Sequence, residues 1–246
     1  MTTETLAAAQ AQAPATPRTG CDDCVLKVGT LCRRLDHDAR EALHRYGRRR
    51  TLAKGQTITW QGEPASHVAN VLSGVVKLSA TTPDGREQIL DIVGPGGFLG
   101  RIDDRASAFS AIALGPVEIC LFPRESFLAA VEDSAEAGAA LLERALEDLD
   151  RTRRWLLMIA RGTAIERVAT LLLAFAERDT SPRHAFALTR GQMADLAGLT
   201  IETVSRQIGR LKASNIIALP TRDSFEIRDA ETLRAIAGEQ PGHRPH

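Results

Sequence analysis

The sequence predicts an α+β protein built in series: a β-rich first domain, a long helix and a C-terminal winged helix-turn-helix. Three observations carry this. Gly55, Gly62, Gly74, Gly85, Gly94, Gly96, Gly97 and Gly100 punctuate short apolar stretches. Many short strands with glycine turns close into a small barrel or a double-sheet jelly roll. From Glu125 to Arg161 breakers are few and apolar residues recur at spacings of three and four, the period of a helix. After Thr163, two short helical segments joined by a glycine turn precede two strand-like runs.

Composition bounds what such a chain can do. It has 246 residues, with 31 Lys and Arg balanced by 31 Asp and Glu. Any nucleic-acid contact must therefore be a local patch rather than a global charge. Apolar residues make up 43% but aromatics only 4%, so the core must be largely aliphatic. No apolar run approaches the ~20 residues of a membrane span. Met1–Gly20 lacks the basic-then-apolar layout of a signal peptide. A cytoplasmic protein is expected, with residues 1–19 a disordered tail and 238–246 a second tail. Between them the expected units are a cysteine-containing segment with the β domain (20–123), a helix region (124–162) and a C-terminal domain (163–237). No GxGxxG, P-loop, Ser-His-Asp or HExxH pattern points to an enzyme. The six histidines show no metal-ligand spacing.

Within the β region, Val71–Leu78 is one strand-like run. Pro83-Asp84-Gly85 is a strong turn, and Gln88–Val93 the return strand. The helix that follows is expected to break near Asp133-Ser134 or Gly138. Its Leu142, Ala145, Leu149, Thr152, Leu156 and Ile159 form a seam of coiled-coil type. An apolar stripe more often packs on its own domain, but this one is narrow and its flanks match. With Leu149 at position a, Asp148 is g and Arg153 is e. A parallel homodimer would then pair Asp148 with Arg153 and Leu141 with Leu146 across the axis.

The C-terminal domain begins with a helix over Ala164–Glu177, followed by a polar loop over Arg178–His184. Thr189 and Gln192 have the form of a capping box for a helix running to Ala197. Gly198 supplies the turn, and Thr200 caps a second helix from Ile201 to about Ala213. Val204, Ile208 and Leu211 fall on an inward stripe; Glu202, Ser205, Arg206 and Gly209 fall on an outward one. Arg pairs bidentately with guanine, Glu accepts from cytosine, and Ser contacts either edge. Arg210 and Lys212 can reach phosphates, and Thr189 and Arg190 complete the candidate DNA-facing set. Ile216–Leu219, a turn at 220–223 and Ser224–Ile227 read as the wing. A second basic cluster, Arg45 with Arg48-Arg49-Arg50, fits a solvated strand edge as well as a DNA contact.

The four cysteines suggest metal chemistry. Cys21, Cys24 and Cys32 form C-x2-C-x7-C, and Cys120 lies on a late strand. Four thiolates suit either zinc or an iron–sulfur cluster. The spacing alone leaves both open, and also leaves an incidental pair near a terminus with Cys120 as a small hydrophobe.

From Cys21 to Ala237 the chain resembles the CRP/FNR family of bacterial transcription regulators. The signature is Leu199-Thr200-Ile201-Glu202-Thr203-Val204-Ser205-Arg206. Glu202, Ser205 and Arg206 match the base-contacting residues of the FNR branch. The resemblance implies a double-stranded β-helix (jelly-roll) sensor domain, a dimerisation helix and inverted TTGAT half-sites read by a homodimer. It also implies an RNA polymerase contact, with Thr81–Glu87 the candidate loop. Cyclic nucleotide is not expected. Arg101 stands where the family's cyclic-AMP branch has a ribose-binding carboxylate, and Ser107-Ala108 where it has Arg-Ser. The cysteine pattern resembles the FnrL and FnrN group, which implies an oxygen-labile [4Fe-4S] cluster on Cys21, Cys24, Cys32 and Cys120. One departure is Arg151-Thr152-Arg153-Arg154, where the branch tends to carry an acidic brake on dimerisation. The competing readings are a zinc-stabilised regulator without oxygen sensing and, further off, an iron–sulfur enzyme.

Overall fold

The computed structural model describes residues 32, 35, 37–177, 184–185 and 188–238. The expected first tail, all of the second but Gly238, Cys21, Cys24 and nearly all of the polar loop at 178–184 lie outside them. A short helix, α1 (His37–Tyr46), leads into eight strands: β1 (Arg48–Leu52), β2 (Thr57–Thr59), β3 (His67–Ser73), β4 (Val76–Thr81), β5 (Glu87–Val93), β6 (Phe98–Gly100), β7 (Ser110–Ala113) and β8 (Val117–Pro123). They form two antiparallel four-stranded sheets, ordered β1-β8-β3-β6 and β2-β7-β4-β5. Their inner faces enclose Leu52, Val71, Val76, Leu99, Ala113, Val117 and Ile119. This is the two-sheet jelly roll, filled with aliphatic side chains.

The apolar run at 71–78 is not one strand. Gly74 turns it at φ +80, and a Cβ there would lie 2.3 Å from the Pro116 carbonyl oxygen. The run therefore divides between the two sheets, as β3 and β4. Ser73-Gly74 marks this turn in the sequence, and the positive φ makes it one that glycine suits. The β4–β5 hairpin turns where expected, with Thr82 and Arg86 closing it backbone to backbone.

Helix α2 (Arg124–Glu132) follows β8 directly, and α3 (Ala135–Arg161) follows a break at Asp133-Ser134. The Ser134 hydroxyl accepts the Ala137 N–H at 3.1 Å, which explains the break: Ser134 is the N-cap of α3. Leu142, Leu149 and Leu156 on α3 are 62%, 42% and 66% exposed, and Ala145 and Thr152 are exposed beside them. Ile159 is half-buried instead; its Cγ2 would lie 3.8 Å from a Cβ placed on Gly198.

The expected Asp148–Arg153 pairing meets local competition. Asp148 pairs with Arg144 and Arg151 of its own helix at 3.2 and 3.1 Å. Arg153 pairs with Asp150. Leu141 packs inward, against its own domain, rather than toward a copy. Sequence register places a charge on a helix flank but cannot see neighbours three and four residues away that reach it first.

The C-terminal domain contains α4 (Ala164–Ala176), β9 (His184–Ala185), α5 (Arg190–Ala197), α6 (Ile201–Ala213), β10 (Ile217–Thr221), β11 (Ser224–Ile227) and α7 (Ala230–Ile236). The sheet order is β10-β11-β9. His184, expected in a loop, pairs with Phe225 in the sheet. Val168, Leu172, Phe175, Met193, Val204, Ile208, Leu211 and Phe225 form the core. Ile89 and Ile92 of β5 and Trp155 of α3 pack on that same core. Among the described residues no helix is long and apolar enough to cross a membrane.

Candidate nucleic-acid interface and cysteine site

Helix α5 starts at a reciprocal cap. The Gln192 N–H donates to the Thr189 hydroxyl at 3.3 Å, and the Thr189 N–H donates to Gln192 Oε1 at 3.0 Å. It ends at Gly198 in the left-handed region, φ +61. The Thr200 hydroxyl then accepts the Thr203 N–H at 3.3 Å and starts α6. These caps fix the angle at which α6 leaves the turn. Val204, Ile208 and Leu211 are buried against the core. Glu202, Ser205, Arg206, Gly209, Arg210 and Lys212 are all exposed.

The outward face is chemically primed. The Glu202 carboxyl is held below its ordinary value by its own backbone N–H and by the Thr200 hydroxyl. It is an ionised acceptor at the helix start. Arg206 Nη2 donates to the Thr203 hydroxyl at 3.3 Å, a long, exposed contact that a base edge can replace. Arg210 Nη1 lies 3.4 Å from Gln207 Oε1. Thr189 and Arg190 are placed differently. The Thr189 hydroxyl is committed to its cap. Arg190 is half-buried, and burial pulls its guanidinium below the usual arginine range, offset in part by the nearby Asp223 carboxylate.

The outer face of the sheet β1-β8-β3-β6 carries the cysteine site. Cys120 on β8 sits opposite Asn70 on β3 and Arg49 on β1. Asn70 Nδ2 donates to Cys32 Sγ at 3.2 Å. Gly47 leaves room beside Cys120, since a Cβ there would lie 3.3 Å from its Sγ and 2.8 Å from Phe122 Cε1. Cys32 and Cys120 border one apolar layer with Leu35, Leu43, Phe122, Phe127, Ala137, Ala140 and Leu141. The last three belong to the start of α3, so the two cysteines and the long helix share that layer. Arg49 pairs with Glu118 at 3.6 Å, whereas Arg48 and Arg50 are exposed on the edge strand. Among the described residues, no three His, Cys, Asp or Glu side chains converge as a metal site. Cys21 and Cys24 lie outside them.

Two family profiles match: one described as a cyclic nucleotide-binding domain, over residues 49–134, and one as a Crp-like helix-turn-helix domain, over 166–236. The transcriptional activator protein FnrL of Cereibacter sphaeroides is 34% identical, over 89% of this chain and 92% of its own length. The nitrogen fixation regulation protein FixK of Bradyrhizobium diazoefficiens is 33% identical, over 88% and 93%. The chain belongs to the CRP/FNR family. It is a DNA-binding transcription regulator rather than an enzyme. The solved structure of FixK2 from Bradyrhizobium japonicum, 27% identical, superposes with a TM-score of 0.73 over 77% of this chain and 96% of that one.

The CRP/FNR frame shows which positioning residues the sequence did not announce. Arg167 on α4 donates to the carbonyls of Gly162, Ala197 and Gly198 at 2.9, 3.0 and 3.3 Å. It clasps the end of α3 to the turn of the helix-turn-helix. Gln88 on β5 donates to the Asp195 carbonyl at 2.8 Å, and Arg151 pairs with Asp91 at 2.9 Å. Together they hold the β4–β5 hairpin to α3 and α5. Nothing local marks Arg167 or Gln88 as joining elements, because the partners at 195–198 are distant in sequence. Asn70 did carry a signal: it is a strand-averse amide inside the apolar run Val68-Ala69-Asn70-Val71-Leu72.

Proposed function

We propose that this regulator responds to oxygen. It binds inverted-repeat promoter DNA as a homodimer while Cys21, Cys24, Cys32 and Cys120 hold a [4Fe-4S] cluster. The observation that carries the reading is the apolar layer common to Cys32, Cys120 and the start of α3. Ligand binding can shift an association equilibrium only through contacts that differ between the two states, and this layer provides them. The donor set fits the group: two thiols border a largely apolar layer, with Asn70 donating to one of them. When bound, such a cluster supplies an oxygen-reactive centre held by thiolates. Tying the N-terminal segment to β8 presses on the layer beneath Ala137 and Ala140, and so sets how α3 is presented to a second copy. The exposed Leu142, Leu149 and Leu156 stripe is the surface that copy covers. FnrL is named a transcriptional activator, and activation through RNA polymerase at the exposed loop Thr81–Glu87 is part of the same reading.

Cyclic nucleotide has no place in it. Arg101 is engaged in a bidentate pair with Asp103 at 2.7 and 2.6 Å, and Arg105 binds the same carboxylate. Where the sugar would need an acceptor, the chain offers a guanidinium already paired with a carboxylate. Calorimetry with millimolar cyclic AMP should show no binding heat. The cluster is tested by iron and acid-labile sulfide analysis after anaerobic purification. Four of each per chain are expected; stoichiometric zinc without sulfide would overturn the oxygen reading and leave the DNA reading standing.

A further inference from the structure

One buried polar group in the cysteine layer has an unmet valence. Asn70 is 1% exposed, in the middle of β3 and facing the layer that Cys32 and Cys120 border. Its Nδ2 donates to Cys32 Sγ, but among the described residues no donor reaches its buried Oδ1. An amide oxygen without a partner is costly in such surroundings. An aliphatic residue would suit this site, as Val68 two positions earlier shows. The bond that justifies a carboxamide here is the one its N–H makes, and the polar groups at hand for that N–H are thiols. Cys120 is its neighbour across the strand pair, and Cys32 is its acceptor.

Resting on the cluster reading above, we propose that Asn70 is a ligand-positioning residue: its N–H bond holds the Cys32 thiolate in place and draws charge off the sulfur, which slows oxidative loss of the bound cluster. Two physical effects act together. A hydrogen bond from the second layer fixes a ligand's orientation, and its loss typically costs ~10–100-fold in metal affinity or activity. Hydrogen bonds to ligand sulfurs also tune the potential of iron–sulfur sites. An N–H donor stabilises the more electron-rich state, so an electron leaves less readily to dioxygen. Asn70 thereby sets the oxygen level at which the regulator responds.

The test compares wild type with Asn70→Leu, Asn70→Asp and Asn70→Gln. Leu is close in size and has no donor. Asp keeps the shape but replaces the donor with a charge, and Gln keeps a donor on a longer arm. Each protein is loaded anaerobically and its iron and sulfide counted. Absorbance is then followed in air, and resonance Raman reads the iron–thiolate stretches. Urea unfolding of the metal-free proteins checks folding, and Asn70→Asp carries the test if Asn70→Leu is unfolded. The expected result is bleaching ~10-fold faster for Leu and Asp, shifted iron–thiolate frequencies, and partial recovery with Gln. Full loading with wild-type half-lives and unmoved frequencies would overturn the role of Asn70 alone. A wild type holding no iron and sulfide would overturn the cluster reading and this inference with it.

Discussion

Replacing Arg206 by alanine should weaken specific DNA binding without weakening the fold. The side chain is exposed on the outward face of α6, where surface changes usually cost the fold less than ~0.5 kcal/mol. A bidentate contact to guanine contributes ~1–3 kcal/mol of discrimination. The contact from Arg206 Nη2 to the Thr203 hydroxyl must be given up or shared on binding, and a long, solvent-exposed bond of this kind is worth ~0.5–1.5 kcal/mol. That moves the estimate to about 1.5 kcal/mol per half-site. A two-fold complex loses it twice, about 3 kcal/mol, or ~150-fold in Kd. The assay is fluorescence anisotropy with an anaerobic sample and a duplex carrying inverted TTGAT half-sites. Each guanine is then substituted in turn, and Arg206→Ala should lose discrimination at one of them. Lys212→Ala is the control: a phosphate contact should weaken all duplexes alike and reduce the salt slope by about 1. A Kd for Arg206→Ala within about two-fold of wild type, with base preference intact, would refute the assignment of α6 as the reading helix.

Leu156→Asp should leave the single chain folded, since that leucine is 66% exposed. It should shift sedimentation toward monomer and weaken DNA binding; an unchanged dimer would move the interface elsewhere. Arg167→Ala removes three hydrogen bonds to carbonyls at the α3–turn junction. Charged bonds of this kind are stronger than neutral ones, but the side chain is partly exposed, so about 2 kcal/mol of unfolding free energy is expected to go. A urea midpoint matching wild type would contradict the clasp. Glu87→Gln should flatten the acid limb of stability against pH. Burial raises the Glu87 carboxyl, but hydrogen bonds from Lys77 and Ser79 and the Lys77 charge outweigh it and leave it below 4.5. A depressed carboxyl stabilises the fold above its unfolded value, and that contribution is lost as pH falls through the folded one. Identical acid limbs for the two proteins would remove Lys77–Glu87 as a stabilising pair.

The helix-turn-helix was legible in the sequence because its determinants are local. Thr189, Gln192, Gly198 and Thr200 fix the turn within a dozen residues, and the alternation of Val204, Ile208 and Leu211 with Glu202, Ser205 and Arg206 needs only the helical period. The break before α3 was legible for the same reason, through Ser134. What stayed hidden depends on distant partners. β9 exists because His184 and Ala185 meet β11 some forty residues on. The run at 71–78 reads as one strand only if Ser73-Gly74 is passed over, although that dipeptide is a turn signal. Leu141 belonged by register to a dimer seam, but the cysteine layer claims it. In the cysteine site, spacing alone could not say that Cys32 and Cys120 meet around Asn70, since strand pairing brings Cys120 to Asn70 and the chain before α1 brings Cys32.

The central claim is that DNA binding by α6 depends on the state of the cysteine site. Its most direct test is one anisotropy titration of a single anaerobic sample, repeated after air has bleached its visible absorbance. The account predicts tight binding to the inverted repeat before exposure, and weaker binding with a smaller sedimenting species after it. Equal affinity before and after bleaching would contradict it.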